Sequence, residues 1–233
     1  MVALFVILTI VICVGIDGIV QLRKAKQERV SLKLADQLVP AEAFANLSPP
    51  ANLFLDSGHT WVEVKPSGAA TVGLDGFAQR LIGRIDDVVL PEVGREINRG
   101  DVLFAIKQDQ RRAAFASPVD GVVTAVDKEL PWHPEMIQSD PYHEGWVCSV
   151  TPRNLAKNLK QLFTADEGRI WLKSEAQRFQ EFFAAQTLET QLGQVLQDGG
   201  RLVGGVLEFA DDGTWKQFNE MFLRPRDKEA TAE

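Results

Sequence analysis

Apolar positions along this chain fall into three successive patterns. From Val2 to Val20 they are nearly continuous, broken by Thr9, two glycines and Asp17. From His59 to Val150 they alternate with polar positions in short runs spaced roughly 8 to 12 residues apart, with Gly, Pro and Asp between them, as in strands that bury one face. After Pro152 they recur as Leu172, Ala176, Phe179 and Phe183, at i, i+4, i+7 and i+11 along one helix face. These patterns predict a transmembrane helix at 1–22, a mainly β domain of sandwich or barrel type at 57–152 and a helical extension at 153–223. A charged stalk and Pro-containing linker at 23–56 joins the first two, and a charged, disordered tail occupies 224–233.

Local signals place the elements. His59-Thr60-Trp61-Val62-Glu63-Val64 reads as a strand, Pro66-Ser67-Gly68 as a turn, and Ala70 to Gly73 as its return. Val102 to Ile106 and Ala113 to Ala116 are two β-type runs separated by the polar segment Lys107 to Arg112, and Ser117-Pro118-Val119-Asp120-Gly121 follows as a turn. Thr164-Ala165-Asp166-Glu167 has the form of a capping box. Asp198-Gly199-Gly200 marks a turn, and Leu202 to Phe209 is open between strand and loop. Trp215, Phe218, Met221 and Phe222 form a short amphipathic helix begun near Asp211 or Asp212.

The N-terminal run is long enough to span a bilayer, since about 20 helical residues at ~1.5 Å each cover the ~30 Å hydrocarbon core. A cleaved signal peptide competes, but no Lys or Arg precedes the apolar run and no small-x-small site follows it. Arg23, Lys24, Lys26 and Arg29 all follow the span, so the positive-inside rule places the rest of the chain in the cytoplasm, as the soluble part of a single-pass membrane protein. Asp17 has two readings: a solvated, snorkelling or protonated carboxyl at the headgroup boundary, which is favoured, or an intramembrane contact with a second membrane protein.

Several motifs within the β region coincide with one family. His59-x-Trp61, then Thr71-Val72-Gly73-Leu74-Asp75-Gly76-Phe77-Ala78-Gln79, then Leu90-Pro91-Glu92-Val93-Gly94 with Asn98 and Asp101, and finally Pro134, Asp140-Pro141-Tyr142 and Gly145-Trp146 fall in order. Over about Ser57 to Pro152 the chain resembles the H protein of the glycine cleavage system. The resemblance implies the barrel-sandwich hybrid fold of lipoyl and biotinyl carriers, in which a hairpin followed by Ser-Pro-x-x-Gly presents the modified lysine. In that family the lysine amine is joined to lipoate through an amide, and the arm shuttles an aminomethyl group among the P, T and L proteins.

Counting back from Ser117, the lipoyl-lysine position falls on Gln110. A carboxamide nitrogen is delocalised into its carbonyl and offers no nucleophilic lone pair, so no lipoate and no other cofactor is expected. The surroundings differ too, with Lys107 where the family has Glu, Gln108 where it has Ser, and Arg111 and Arg112 in place of two small residues. Sliding Lys107 into the carrier position would need a three-residue register shift, and an odd slip in a hairpin inverts the face of every side chain. Lys107, Arg111 and Arg112 then form either a solvated basic loop tip or a docking site for an acidic partner surface.

The remaining chemistry changes this picture little. A net charge of −7 without any basic, aromatic-interleaved cluster argues against nucleic acid. Cys13 and Cys148 have no metal-ligand spacing, and His59, His133 and His143 lack i, i+3 or i, i+4 partners, so neither a metal site nor a catalytic centre is expected. Two roles remain: a membrane-tethered binding or scaffold module with an unidentified protein partner, which is favoured, or an auxiliary or carrier component of glycine cleavage or a related lipoyl-dependent system.

Overall fold

The region of alternating runs holds eight of the nine short strands in the computed structural model, which describes Gln21, residues 49–189 and residues 205–225. Six strands make one antiparallel sheet in the order β1 (Leu53–Leu55), β2 (Thr60–Val64), β3 (Ala70–Leu74), β9 (Trp146–Pro152), β8 (Gly121–Val126) and β5 (Glu96–Ile97). A second antiparallel sheet has the order β4 (Asp87–Val89), β6 (Val102–Gln108), β7 (Arg111–Ala116). The core includes Trp61, Val62, Val72, Leu74, Ile97, Phe104, Phe115 and Val150. Their mainly β arrangement is the one the period-2 pattern predicts.

Two close approaches explain local sequence choices. Trp61 lies opposite Gly73 in the β2–β3 register, and a Cβ at Gly73 would sit 2.5 Å from Trp61 Cζ2, so only glycine leaves room for the indole. The chain then enters helix α1 (Gly76–Ile82), where the Asp75 side chain accepts from the Ala78 amide and caps the first turn. Gly83 ends it at φ 76°, a left-handed conformation that favours glycine. Phe104 and Phe115 face each other across β6 and β7 with ring centroids 5.0 Å apart, joining the hairpin to the core.

Helices α2 (Glu135–Ser139) and α3 (Leu155–Leu159) precede α4 (Ala165–Glu189). Half of the expected capping box forms, with Glu167 Oε2 accepting from the Thr164 amide at 2.8 Å, while the Thr164 hydroxyl donates to the same carboxylate oxygen at 2.9 Å. The first turns of α4 pack on the β domain: Trp171 stacks on Phe163 at 5.0 Å, and Gly168 admits Leu55, whose Cδ1 would lie 2.9 Å from an added Cβ. Leu172, Ala176, Phe179 and Phe183 are all buried, as the helical spacing predicts. The described residues fall into two units, one with 49–176 and 205–225 and the other with 177–189. Within the second, Phe179 packs on Phe182 and Phe183 at 5.8 and 5.9 Å.

Three boundaries differ from the sequence expectation. Leu53–Leu55, assigned to the linker, is a strand paired with β2 and bridged to Phe163, so the β domain begins before Ser57. Three residues are too few to show a period. The hairpin strands run on to Gln108 and start again at Arg111, so the expected loop Lys107 to Arg112 shrinks to a two-residue turn. Val206–Phe209 is a 3₁₀ turn, followed by α5 (Asp212–Phe222), whose N-cap is Asp211. Apart from Gln21, the predicted membrane span with Asp17 lies outside the described residues, as do residues 23–48 of the stalk and linker, the Asp198-Gly199-Gly200 turn and 226–233 of the tail. Among the described residues no helix is long and apolar enough to cross a membrane.

Candidate functional site

The β6–β7 hairpin closes through Asp109 and Gln110, between the cross-strand pair Gln108 and Arg111. Asp109 takes φ 52°, a left-handed conformation that a short polar side chain tolerates better than most. Its amide donates to Asp86 Oδ2 at 2.7 Å, while Arg84 Nη2 donates to Asp109 Oδ1 at 2.9 Å. Arg84 also lies 3.3 Å from Asp86, and the hydrogen bond to Asp109 raises its pKa above the ordinary guanidinium value. The turn is thus clamped at its first residue. Gln110, the second, is exposed and makes no side-chain hydrogen bond among the described residues.

Strand alternation separates the three cations around this turn. Lys107 and Arg112 are directly opposite each other and both are exposed. Lys107 Nζ donates to Asp87 Oδ2 on β4 at 2.7 Å. Gln108 and Arg111 share the opposite face. Gln108 is buried and donates to the carbonyls of Ile82 and Arg84, at 3.0 and 2.6 Å. Arg111 donates to Asp212 at 3.1 Å and to the carbonyls of Leu207 and Glu208, and its guanidinium lies 5.8 Å from the Trp215 ring centroid. The single basic loop tip expected from sequence is therefore split: one cation is paired within the small sheet, one holds the C-terminal segment, and Arg112 remains at the surface.

The C-terminal segment is the part of this site that sequence reasoning missed. Glu208 Oε1 accepts from the Arg84 amide at 2.7 Å, and the Gly205 amide donates to the Arg80 carbonyl at 2.7 Å. A Cβ at Gly83 would meet Gly205 Cα at 2.4 Å, so the two glycines let the segments interlock. Arg111 and Asp212 are 101 residues apart, a separation at which no local periodicity carries a signal.

A buried polar cluster lies elsewhere in the β domain. His59 is 0% exposed at φ 62°, donates from Nδ1 to Asp75 Oδ2 at 2.9 Å and stacks on Phe77. Its Nε2 is 3.9 Å from Glu175 Oε2. Asp56, also 0% exposed, is held by Arg99 at 2.6 Å, yet burial outweighs the arginine and raises its pKa. Burial likewise pushes the Cys148 thiol up to about 12, far from the thiolate a nucleophile needs. His133 pairs with Glu135 at the surface, and His143 pairs with Asp140, an i, i+3 partner that the sequence reading denied it. Among the described residues no group of three or more His, Cys, Asp or Glu could hold a metal ion.

The family model for the glycine cleavage H-protein matches residues 53–175. The chain belongs to the glycine cleavage H-protein family. The match starts at β1 and ends within α4, so strand Leu53–Leu55 and the first turns of α4 are part of the H-protein domain, and the segment that Arg111 holds lies beyond it. H proteins act as lipoyl carriers and are not themselves catalysts. The chain is similar to the probable glycine cleavage system H protein of Pyrococcus horikoshii, at 36% identity over 52% of this chain and 90% of the relative. It is also similar to the glycine cleavage system H protein of Hydrogenovibrio crunogenus, at 35% identity over 46% and 84%. A solved glycine cleavage system H protein from Mycobacterium marinum is 27% identical, covering 51% of this chain and 94% of that one with a TM-score of 0.46.

Proposed function

We propose that this H-protein domain is a non-lipoylated binding or scaffold module, tethered to the cytoplasmic membrane by the apolar N-terminal run and facing the cytoplasm. The observation that carries this reading is Gln110 at the exposed turn, where a carrier of this family presents its lysine. Attachment of lipoate needs an amine to form the amide, and the residues present do not fit that requirement. Gln110 has none, and Lys107 sits inside strand β6 with its ammonium on Asp87. The positive-inside arrangement of Arg23, Lys24, Lys26 and Arg29 supports the cytoplasmic orientation. Asp17 either lies at the headgroup boundary or meets a second membrane protein.

Membership of the H-protein family favours a second reading, an auxiliary or carrier role beside the P, T and L proteins of glycine cleavage or in a related lipoyl-dependent system. Intact-mass measurement of the full chain, expressed with an active lipoylation system, separates the two. The module reading expects the unmodified mass. A lipoyl increment that disappears in Lys107→Ala overturns it in favour of a carrier.

A further inference from the structure

Three basic residues beside the turn depart from the family pattern, and the fold itself employs two of them. Lys107 is neutralised by Asp87, and Arg111 holds the C-terminal segment. Arg112 has no ion pair or side-chain hydrogen bond among the described residues. It lines a groove of about 350 Å³ together with Arg95, Glu92, Leu90, Pro91 and Val102. Arg95 is likewise exposed and without an ion pair among the described residues, and neither arginine lies within ion-pair distance of Glu92. In a chain of net charge −7, two uncompensated guanidinium groups on one groove are a local reversal of the overall field.

The walls and the edge of this groove narrow the occupant. Val102 is 48% exposed and lines the groove together with half-buried Leu90 and the largely buried Pro91. Strand β4 forms an edge of the three-stranded sheet, and among the described residues no strand pairs with its outer side. An extended backbone can add to such an edge and align carboxylates with planar guanidinium forks. We propose that this groove docks an acidic, extended segment of a partner protein, with carboxylates on Arg95 and Arg112 and an apolar side chain on Leu90, Pro91 and Val102. The inference rests on the binding-module reading and names the chemistry of its partner.

The test is fluorescence polarisation on the full-length protein with a labelled hexapeptide in which two glutamates flank a valine–leucine pair, beside a counterpart carrying lysines instead. The glutamate peptide binds the wild type and the lysine peptide does not. Arg95→Glu with Arg112→Glu weakens the glutamate peptide by about tenfold or more and lets the lysine peptide bind. Lys157→Glu with Lys216→Glu, an equal change of net charge at exposed positions on α3 and α5, leaves binding within about twofold. All four positions are exposed, and unchanged thermal melts verify that the variants fold. Absence of glutamate-peptide binding, or an equal loss in the control pair, overturns the groove. Neither result alters the mass of the protein, so the groove fails independently of the non-lipoylated reading, which a lipoyl increment alone overturns.

Discussion

Arg111 Nε donates to Asp212 Oδ1 at 3.1 Å, so the residue beside Gln110 in the carrier hairpin is tied to a helix that the H-protein domain does not include. Asp212 is 90% exposed, so this ion pair by itself contributes little. The larger contributions come from the bonds to the Leu207 and Glu208 carbonyls and from the guanidinium over Trp215. Arg111→Ala is expected to cost about 1 to 3 kcal/mol in urea unfolding. Hydrogen exchange should rise selectively in 205–222. An unchanged exchange rate there would show that Trp215 and Phe218 hold the segment without the arginine.

Restoring the amine tests whether the turn itself is still a competent presentation site. Gln110→Lys places an ammonium at an exposed turn residue already fixed by the clamp on Asp109. With a lipoate-attaching enzyme, lipoate and ATP, this variant is expected to gain one lipoyl mass, while the wild type and Lys107→Ala remain unmodified. A Gln110→Lys protein that stays unmodified would show that the flanking residues Gln108, Arg111 and Arg112 also bar attachment at this turn.

Asp56 and Arg99 form a buried pair in which removal of one partner is costly. Burial holds the Asp56 pKa above its ordinary value even with Arg99 at 2.6 Å, so folding favours the protonated acid. Arg99→Met leaves an unpaired buried carboxylate and is expected to cost about 3 to 5 kcal/mol at pH 7. Because the folded-state pKa is raised, the Asp56 contribution becomes less unfavourable as pH falls through it towards the unfolded value of 3.8. The deficit of Arg99→Met relative to wild type should therefore shrink as pH falls towards the unfolded value of 3.8, measured by chemical denaturation. A deficit constant with pH would assign it to lost packing.

Cys148 shifts in the same direction as Asp56, with its consequence at alkaline pH. Its folded-state value of about 12 lies above the ordinary 9.0, so the thiol contributes stability below pH 9 that is lost as pH rises towards 12. In a Cys13→Ser background, native protein at pH 8 should not react with a disulfide reagent, whereas unfolded protein should react fully. Cys148→Ala should flatten the alkaline loss of stability, which reaches about 1.4 kcal/mol per pH unit above 9. Native-state reaction at pH 8 would contradict the burial of this side chain.

Gly73 is required by Trp61 rather than by backbone conformation. Gly73→Ala places a Cβ 2.5 Å from the indole and should destabilise by about 1 to 3 kcal/mol, with a blue or red shift of the Trp61 fluorescence band. The same substitution at Gly68, where an added Cβ meets nothing within 4 Å, should cost only the strain of its φ of 84°. Equal costs at both positions would remove the packing argument.

The sequence by itself determined the elements whose causes are local. Period-2 runs gave β2, β3 and the two hairpin strands β6 and β7, the i, i+4, i+7 spacing gave the buried stripe of α4, and Thr164 and the pair Asp211 and Asp212 marked the neighbourhoods of helix starts that the structure shows. The count back from Ser117 put Gln110 at a hairpin tip, and it lies in the exposed turn. Tertiary structure alone decided the fate of the charges around it. Strand β1 was too short to carry a period and became visible only through its pairing with β2 and its bridge to Phe163. Lys107 looked like its neighbours in sequence, yet its face of β6 meets Asp87 across the sheet. Arg111 faces the other way and meets residues about 100 positions later. Arg112 joins Arg95 only because β4, β6 and the Leu90–Arg95 connection converge. Hydrophobic period is a property of neighbours in the chain, whereas the partner of a charge is set by which strands the fold brings side by side.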